Sequence, residues 1–429
     1  MDSNIVYLLV PFGVALLLGV PVGFCLGLGV LGFLFFTNEL PLNVMSQQMY
    51  SAAASFPLMA IPFFIFAGDL MNESGITTRL IGFCKVLLGR IRGGLAHSMI
   101  LTGTLFAGLT GSATADTAAT IKILSPSMEK EGYYRDFTAA LAASTGVLGP
   151  IIPPSALMIV YGATVSSVSV GAMFMGGVLP GLLISLFLVF VVARISKKRN
   201  YPKGEGSMTA AELLTGLKDA SLALVMPVII LVGIRGGIFT PTEGGAVAVA
   251  YSLIIGLLVY RTLTFRQIFT SAVNSGITAS IIMLVVAASA PFGWIVSIAQ
   301  VPVHFAAMIL DFSSNPIVIL LLINLLLFVV GMFLEGAAIV LLLAPILAPL
   351  ADGIGLHPVH FAVLMCVNIC IGMITPPVGV NLFVAAPIGN VTMTQISRAV
   401  MPFLLAEIAA LMIIAFYPPL TLWLPMALR

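Results

Sequence analysis

Apolar runs long enough to cross a bilayer follow one another along almost the whole chain, and few charges interrupt them. A bilayer core of about 30 Å needs about 20 apolar residues per helix, so these runs limit the chain to membrane architectures. Charged residues make up 8% of its 429 residues, against about 25% in soluble domains, which need them to keep their surface in water. With 18 Lys+Arg against 16 Asp+Glu the formal net charge is +2, which argues against nucleic acid or an acidic soluble partner. Met1, Asp2, Ser3 and Asn4 lack the basic start of a secretory signal, so the first apolar run reads as a retained span. The runs are too long for barrel strands and do not alternate with period two, and backbone in lipid must be satisfied within a helix or a closed barrel. The expected class is an all-α polytopic membrane protein in direct contact with the lipid bilayer.

Spans are expected near 5–36 (broken by Pro11 and Pro21), 52–68, 137–165, 172–193, 221–234, 243–260, 276–299, 358–388 and 400–424. Two further apolar stretches, about 94–126 and 317–350, carry polar residues near their middles: Thr110 to Asp116 in one, Glu335-Gly336 in the other. A charge at mid-span is costly unless it faces protein or a water-filled cavity, so both read as re-entrant helical hairpins. Residues 194–219 form the one clearly soluble stretch, in which Arg194, Lys197, Lys198, Arg199 and Lys203 cluster. The positive-inside rule makes this stretch cytoplasmic.

Shifting the sequence by 223 positions superposes Ile123-Leu124-Ser125-Pro126 on Ile346-Leu347-Ala348-Pro349, Gly132 on Gly355, Gly149 on Gly372, and Pro153-Pro154 on Pro376-Pro377. Leu and Ile match by chance in so apolar a chain, but helix breakers keeping one register over some forty residues do not. A looser match, Pro62-Phe63 with Pro291-Phe292, lies upstream at a different offset. The chain therefore reads as a first repeat, 1–193, a basic linker, 194–219, and a second repeat, 220–429. Transporters built this way commonly relate such halves by a two-fold axis in the membrane plane. Two halves that each cross an odd number of times put both termini on the side opposite the linker, the periplasmic side.

Each half follows its hairpin with a broken helix, at Gly149-Pro150-Ile151-Ile152-Pro153-Pro154-Ser155 and at Gly372-Met373-Ile374-Thr375-Pro376-Pro377-Val378-Gly379. Proline removes an N–H and clashes with the carbonyl one turn back, so each break frees carbonyls and a helix N-terminus. At the bilayer midplane such groups coordinate Na⁺ and attract anionic substrate groups. A hard cation asks for several oxygens. The first half offers Thr110, Ser112, Asp116, Ser144 and Thr145 around the loop carbonyls of Gly149 and Pro150; the second offers Glu335, Asn368, Thr375 and Asn381. A lone Ser or Thr in a helix usually bonds back to its own backbone, but an intramembrane carboxylate such as Asp116 or Glu335 is a functional candidate by default.

Other features read more plainly. Thr240-Pro241-Thr242-Glu243 is a capping box with proline at the first helical position, which gives Glu243 the task of starting a helix. Arg79, Lys85, Arg90 and Arg92 suggest a helical arm lying at the interface, about 79–92. Lys122 and Arg235 face an aqueous cavity or snorkel to headgroups. Cys25, Cys84, Cys366 and Cys370 form no Cys-x-x-Cys pair and read as core residues; His357 and His360 lack further ligands for a metal. No lysine follows a glycine, so there is no Gly-Lys-Ser/Thr phosphate loop, and no Gly-x-Ser-x-Gly elbow occurs. Neither ATP hydrolysis nor an enzyme is expected.

Gly111-Ser112-Ala113-Thr114-Ala115-Asp116, Gly149 to Ser155, Gly237-Ile238-Phe239-Thr240-Pro241-Thr242-Glu243 and Gly372 to Phe383 together closely resemble the large membrane subunit of tripartite ATP-independent periplasmic (TRAP) transporters. The resemblance covers essentially the whole chain. It implies a multi-pass protein of the bacterial inner membrane, of the ion-transporter superfamily, that imports a small organic acid with Na⁺ as coupling ion. Its partners would be a small Q-type membrane subunit and a periplasmic substrate-binding protein, and its mechanism an elevator in which hairpins and broken helices slide against a scaffold. Carried onto this sequence, one Na⁺ site would form around Ser112, Asp116 and the Gly149 to Ser155 break. The other would form from Glu335, Gly336 and the break from Gly372 through Thr375 to Gly379. Substrate would lie between the hairpin tips, with Ser112, Ser155, Gly379 and Asn381 as contacts. Many relatives carry Asp-Thr where this chain has Glu335-Gly336, which leaves that carboxylate's role open. Sialic acid and C4-dicarboxylates are both family substrates, and general likeness leans to sialic acid. A channel or exporter of organic anions without a binding protein is the alternative.

Overall fold

The computed structural model describes residues 5–37, 40–203, 210–301 and 315–427 and, within the helices, not the side chains of 108–110 and 210. Among the described residues the chain is helical with no strand, and six helices are long and apolar enough to cross a membrane, seven if the bent pair Asn43–Ala53 and Phe56–Glu73 counts as one.

One set of helices forms a wall. α1 (Val6–Leu17) and α2 (Val22–Thr37) pack as an antiparallel pair; a Cβ at Gly32 would stand 2.7 Å from the Tyr7 carbonyl oxygen, so glycine permits the contact. α3 (Asn43–Ala53) bends by 56° through a short turn at Phe56–Met59 into α4 (Ala60–Glu73). α5 (Ile76–Leu88) is the arm, and only Arg79 and Lys85 of the expected basic stripe lie on it. Arg79 stacks 3.5 Å from the Tyr260 ring centroid, the Lys85 ammonium donates to Ser127 Oγ at 3.1 Å, and Arg90, beyond the helix end, pairs with Glu212 at 2.8 Å. The basic residues thus tie the arm to its neighbours rather than facing one side. Burial pushes the Glu131 carboxyl up and the Lys85 ammonium down, and the charge of each opposes the other's shift.

The first hairpin is α6 (Gly94–Thr110) and α7 (Ala113–Lys130), followed by α8 (Arg135–Gly146), a break, and α9 (Ala156–Thr164). α10 (Val170–Lys198) and α11 (Ala210–Arg235) flank the linker. Arg194, Lys197 and Lys198 therefore sit on the last turns of a helix rather than in a loop, where cations complement the helix dipole. α12 (Pro241–Ile254) starts with the Thr240/Glu243 capping box and packs on α4; α13 (Phe265–Ile298) crosses α2, α3 and α4. The second hairpin is α14 (Pro316–Gly331) and α15 (Gly336–Gly353), followed by α16 (Pro358–Gly372), a break, and α17 (Val380–Ile388); α18 (Met393–Phe416) and α19 (Pro419–Ala427) close the chain.

Helix limits and turns repeat at the 223-residue shift: Gly132 after α7 has φ +84° and Gly355 after α15 has φ +82°. Contacts between the halves are reciprocal, with α7 on α17 and α15 on α9, which is what a two-fold relation requires. The halves are also inverted. The base of the first hairpin meets the linker, since Gly93 N–H donates to the Pro202 carbonyl at 3.0 Å and the backbones of Arg92 and Lys203 pair as an antiparallel bridge. The base of the second, at His357, shares a groove with Ser169 to Ala172 at the opposite end of α10. At 1.5 Å per residue the 29 residues of α10 span about 44 Å, a bilayer with its headgroups.

Candidate functional site

Each hairpin turns at a capped break. Ser112, in extended conformation, caps α7, its Oγ accepting from Ala115 N–H at 3.5 Å and lying 3.3 Å from Thr114 Oγ1. The equivalent position 223 residues on is Glu335, the N-cap of α15. A Cβ on Gly111 would stand 2.7 Å from the Pro154 carbonyl oxygen, so the first tip rests on the first helix break. In the second half Gly379, with φ +62°, donates its N–H to the Met332 carbonyl at 2.9 Å, which ties that break to its own hairpin.

Of the residues expected at a first cation site, Asp116 is buried in the first turn of α7, and a Cβ at Gly149 would run into its carboxylate. Ser144 is fully buried on α8, and its hydroxyl has no hydrogen-bond partner among the described residues. Thr145 turns away, donating to the Ala142 carbonyl at 3.1 Å and packing on Gly103. Pro150 lines the central cavity while its carbonyl accepts from Ser155 at 2.6 Å. The Thr110 side chain lies outside the described residues.

The second set is more dispersed. Glu335 and Gly336 line the cavity. Asn368 is buried and donates to the Asn324 carbonyl and side-chain oxygens at 3.0 and 2.8 Å; its own Oδ1 accepts nothing among the described residues. Thr375 donates to the Ile371 carbonyl at 2.9 Å. A Cβ on Gly372 would stand 2.7 Å from Gly331 Cα, so these two glycines let the broken helix touch its hairpin.

Among the expected substrate contacts, Ser112 lines the cavity, whereas Ser155 is buried as the cap of α9, accepting from Met158 N–H at 3.1 Å. Asn381 is also buried and reaches across to the other half, donating to the Ala143 carbonyl at 3.1 Å. Neither Ser155, Gly379 nor Asn381 is among the residues that line the cavity; they hold the breaks in shape.

The cavity, of about 390 Å³, is where the two halves meet. Ser112 to Ala115 come from one tip, Glu335 to Ala337 from the other, Pro150, Ala156 and Met373 from the two breaks. The N-terminal residues of three helices, Ala113, Ala156 and Gly336, face it together. Its opposite wall is Ile65, Asp69 and Asn72 of α4 with Thr278 and Ile282 of α13. Asp69 is fixed by Ser275, which donates to Oδ2. Asp69 stands one residue beyond the expected span 52–68, but α4 continues to Glu73, and a carboxylate inside an apolar helix is the signal that marks it. Glu407, a carboxylate inside the expected span 400–424, is fully buried on α18. A larger groove of about 730 Å³ contains Arg235, Glu243 and His357 but no hairpin tip.

The cavity is lined by small polar groups, helix N-termini and the carboxylates of Asp69 and Glu335. A small anion and a cation could be held there together.

Comparisons with known proteins agree with this architecture. The family model described as the DctM component of tripartite ATP-independent periplasmic transporters matches residues 9–420. The chain is 42% identical, over 95% of each sequence, to the sialic acid TRAP transporter large permease protein SiaM of Vibrio cholerae. It is 34% identical to the C4-dicarboxylate TRAP transporter large permease protein DctM of Rhodobacter capsulatus, covering 97% of this chain and 98% of that one. It is also 38% identical to the isethionate TRAP transporter permease protein DctMQ of Oleidesulfovibrio alaskensis, covering 96% of this chain and 65% of that longer protein. The YdaH transporter of Alcanivorax borkumensis, a crystal structure with an unusual topology, superposes with a TM-score of 0.64 over 88% of each chain at 14% identity, a likeness of fold alone.

Proposed function

The chain belongs to the DctM-component family of tripartite ATP-independent periplasmic transporters, and from that premise we propose that it imports a small organic acid across the bacterial inner membrane, driven by Na⁺. It is a transport permease, not an enzyme. It acts with a small Q-type membrane subunit and a periplasmic binding protein, the partners its family implies.

The observation that carries the reading is the convergence of both hairpin tips and both helix breaks on one cavity. Helix N-termini carry a partial positive charge of roughly half a unit, and three of them would meet the acid group here, with no lysine or arginine among the described lining residues. Na⁺ would be held at the first break by Asp116, Ser144 and the carbonyls near Gly149, and at the second by Glu335 and the carbonyls between Gly372 and Gly379. Each cation offsets the carboxylate charge that would otherwise repel an anionic substrate, which couples the two ligands without a covalent step.

Movement is read as an elevator. A second cavity of about 270 Å³ lies further along α13, between Ser55, Ser289 and Trp294 of the wall and Thr164 and Leu341 of the body carrying the hairpins. Thr278 lines the central cavity and Ser55 the second one. The hairpin body would face Thr278 in one state and Ser55 in the other. With the linker cytoplasmic by its positive charge, both termini are periplasmic and the central cavity lies toward the cytoplasm.

The test is uptake of labelled N-acetylneuraminate and, separately, succinate into proteoliposomes holding this chain and its small subunit, with and without Na⁺ and binding protein. Uptake that needs both supports the reading. Substrate movement indifferent to both would replace it with an anion channel or exporter.

A further inference from the structure

The carboxylates around the central cavity are not equivalent. Glu335 sits on a hairpin tip, beside the break expected to hold a cation, and Asp116 lies behind the other tip. Asp69 sits on α4, across the cavity from both tips, with Asn72 one turn along the same helix and Thr278 beside it on α13. The fully helical backbone of α4 and the Ser275 hydroxyl hold it in place. Among the described residues no lysine or arginine lines the cavity, so no side chain of opposite charge described there claims this carboxylate.

An ionised carboxylate only accepts hydrogen bonds. It therefore favours a ligand that presents donors and disfavours one that presents a second negative charge. An organic acid whose carboxylate lies at the helix N-termini of the tips directs its far end at this wall. The cavity volume of about 390 Å³ is roughly a dozen water volumes at about 30 Å³ each, more room than a four-carbon diacid fills.

Resting on the transport reading above, we propose that Asp69 is a specificity-determining residue, accepting hydrogen bonds from hydroxyl or amide N–H groups at the far end of the substrate. The transported acid is then a hydroxylated monoacid, a sugar acid in chemical class, and small dicarboxylates are excluded by Asp69. Asn72 and Thr278 extend the same polar wall and add a donor and a hydroxyl for the rest of that end.

The test uses the full chain with its small subunit in lipid nanodiscs, which needs no binding protein to choose the ligand. Binding of N-acetylneuraminate, gluconate and succinate is measured by titration calorimetry with and without Na⁺, for wild type, Asp69→Asn and Ser275→Ala. Asp69→Asn keeps the shape and one acceptor but loses the charge-assisted bond, so hydroxylated acids should bind about tenfold more weakly while succinate binds no worse or better. Ser275→Ala, which frees the carboxylate without removing it, should shift hydroxylated acids in the same direction by less. Wild-type affinity for hydroxylated acids in both variants, or a wild-type preference for succinate, overturns the assignment of Asp69 and leaves Na⁺-coupled transport standing. Failure of all three acids to bind in a Na⁺-dependent way in wild type overturns the transport reading beneath it and the inference with it.

Discussion

Gly149→Ala tests the first cation site without removing any of its oxygen atoms. A Cβ there would collide with the Asp116 carboxylate, stand 3.1 Å from the Ser112 carbonyl carbon and 3.2 Å from the Gly146 carbonyl oxygen. Two of these neighbours are backbone, one in a capped helix start and one at the end of α8, so the carboxylate is the group that must move. Adding a methyl to a closely packed place costs about 1–3 kcal/mol. If that cost is borne when the cation draws Asp116 back toward the break, apparent Na⁺ affinity falls by about 5- to 150-fold. Gly276→Ala on α13 serves as control, because nothing lies within 4 Å of its added Cβ and alanine is the better helix former by about 1 kcal/mol. The assay is the Na⁺ dependence of uptake in proteoliposomes, paired with the Na⁺-induced rise in Tm of the purified protein. A Gly149→Ala protein with the wild-type Na⁺ response in both would refute the placement of a cation between Asp116 and this break.

Asp116→Ala should remove most of the Na⁺ dependence of uptake while the protein still folds, measured by the same uptake assay; an unchanged dependence would contradict its role as a ligand. Gly372→Ala should push α16 away from Gly331 and lower stability by about 1–3 kcal/mol, read as a fall in Tm, and a Tm equal to wild type would mean that the contact is looser than the structure has it. Bridging cysteines introduced at Thr114 and Thr278 with a bis-maleimide should stop uptake while leaving binding-protein docking intact, because it joins a hairpin tip to the fixed wall. The native cysteines Cys25, Cys84, Cys366 and Cys370 are all buried and should not compete for the reagent; full transport by the bridged protein would count against an elevator.

The hairpins and breaks were legible because their signals are local. A Gly or Pro that ends a helix, or a carboxylate in the middle of an apolar run, acts through its own backbone or its own desolvation, so it can be read without knowing the neighbours. Thr110-Gly111-Ser112 and Glu335-Gly336 marked the turns at which α7 and α15 begin, and the Pro-Pro pairs marked the gaps before α9 and α17. The arm and the basic linker were read less well: charge placed their residues in polar surroundings, but Arg90, Lys85 and Arg79 spend their charge on Glu212, Ser127 and the Tyr260 ring, partners that local sequence does not name.

The site itself divides along the same line. Ser112, Pro150, Glu335 and Gly336 could be chosen from sequence because a cap or a break makes them special wherever the chain runs, and all four line the cavity. Asn381 and Ser155 looked equally polar, yet Asn381 bonds to the other half and Ser155 bonds within its own break, a choice made by which backbone groups lie within reach. Asp69 and Thr278 come from helices about 200 residues apart along the chain and acquire meaning only when α4 and α13 cross. The solvent, the helical class, the repeat and the places where helices must stop can all be read along the chain, since these follow from hydration of side chains and from backbone chemistry at single positions. Which polar groups face the cavity and which face one another is set by the packing of two inverted halves, and contacts between residues far apart in the chain leave no periodic trace in it.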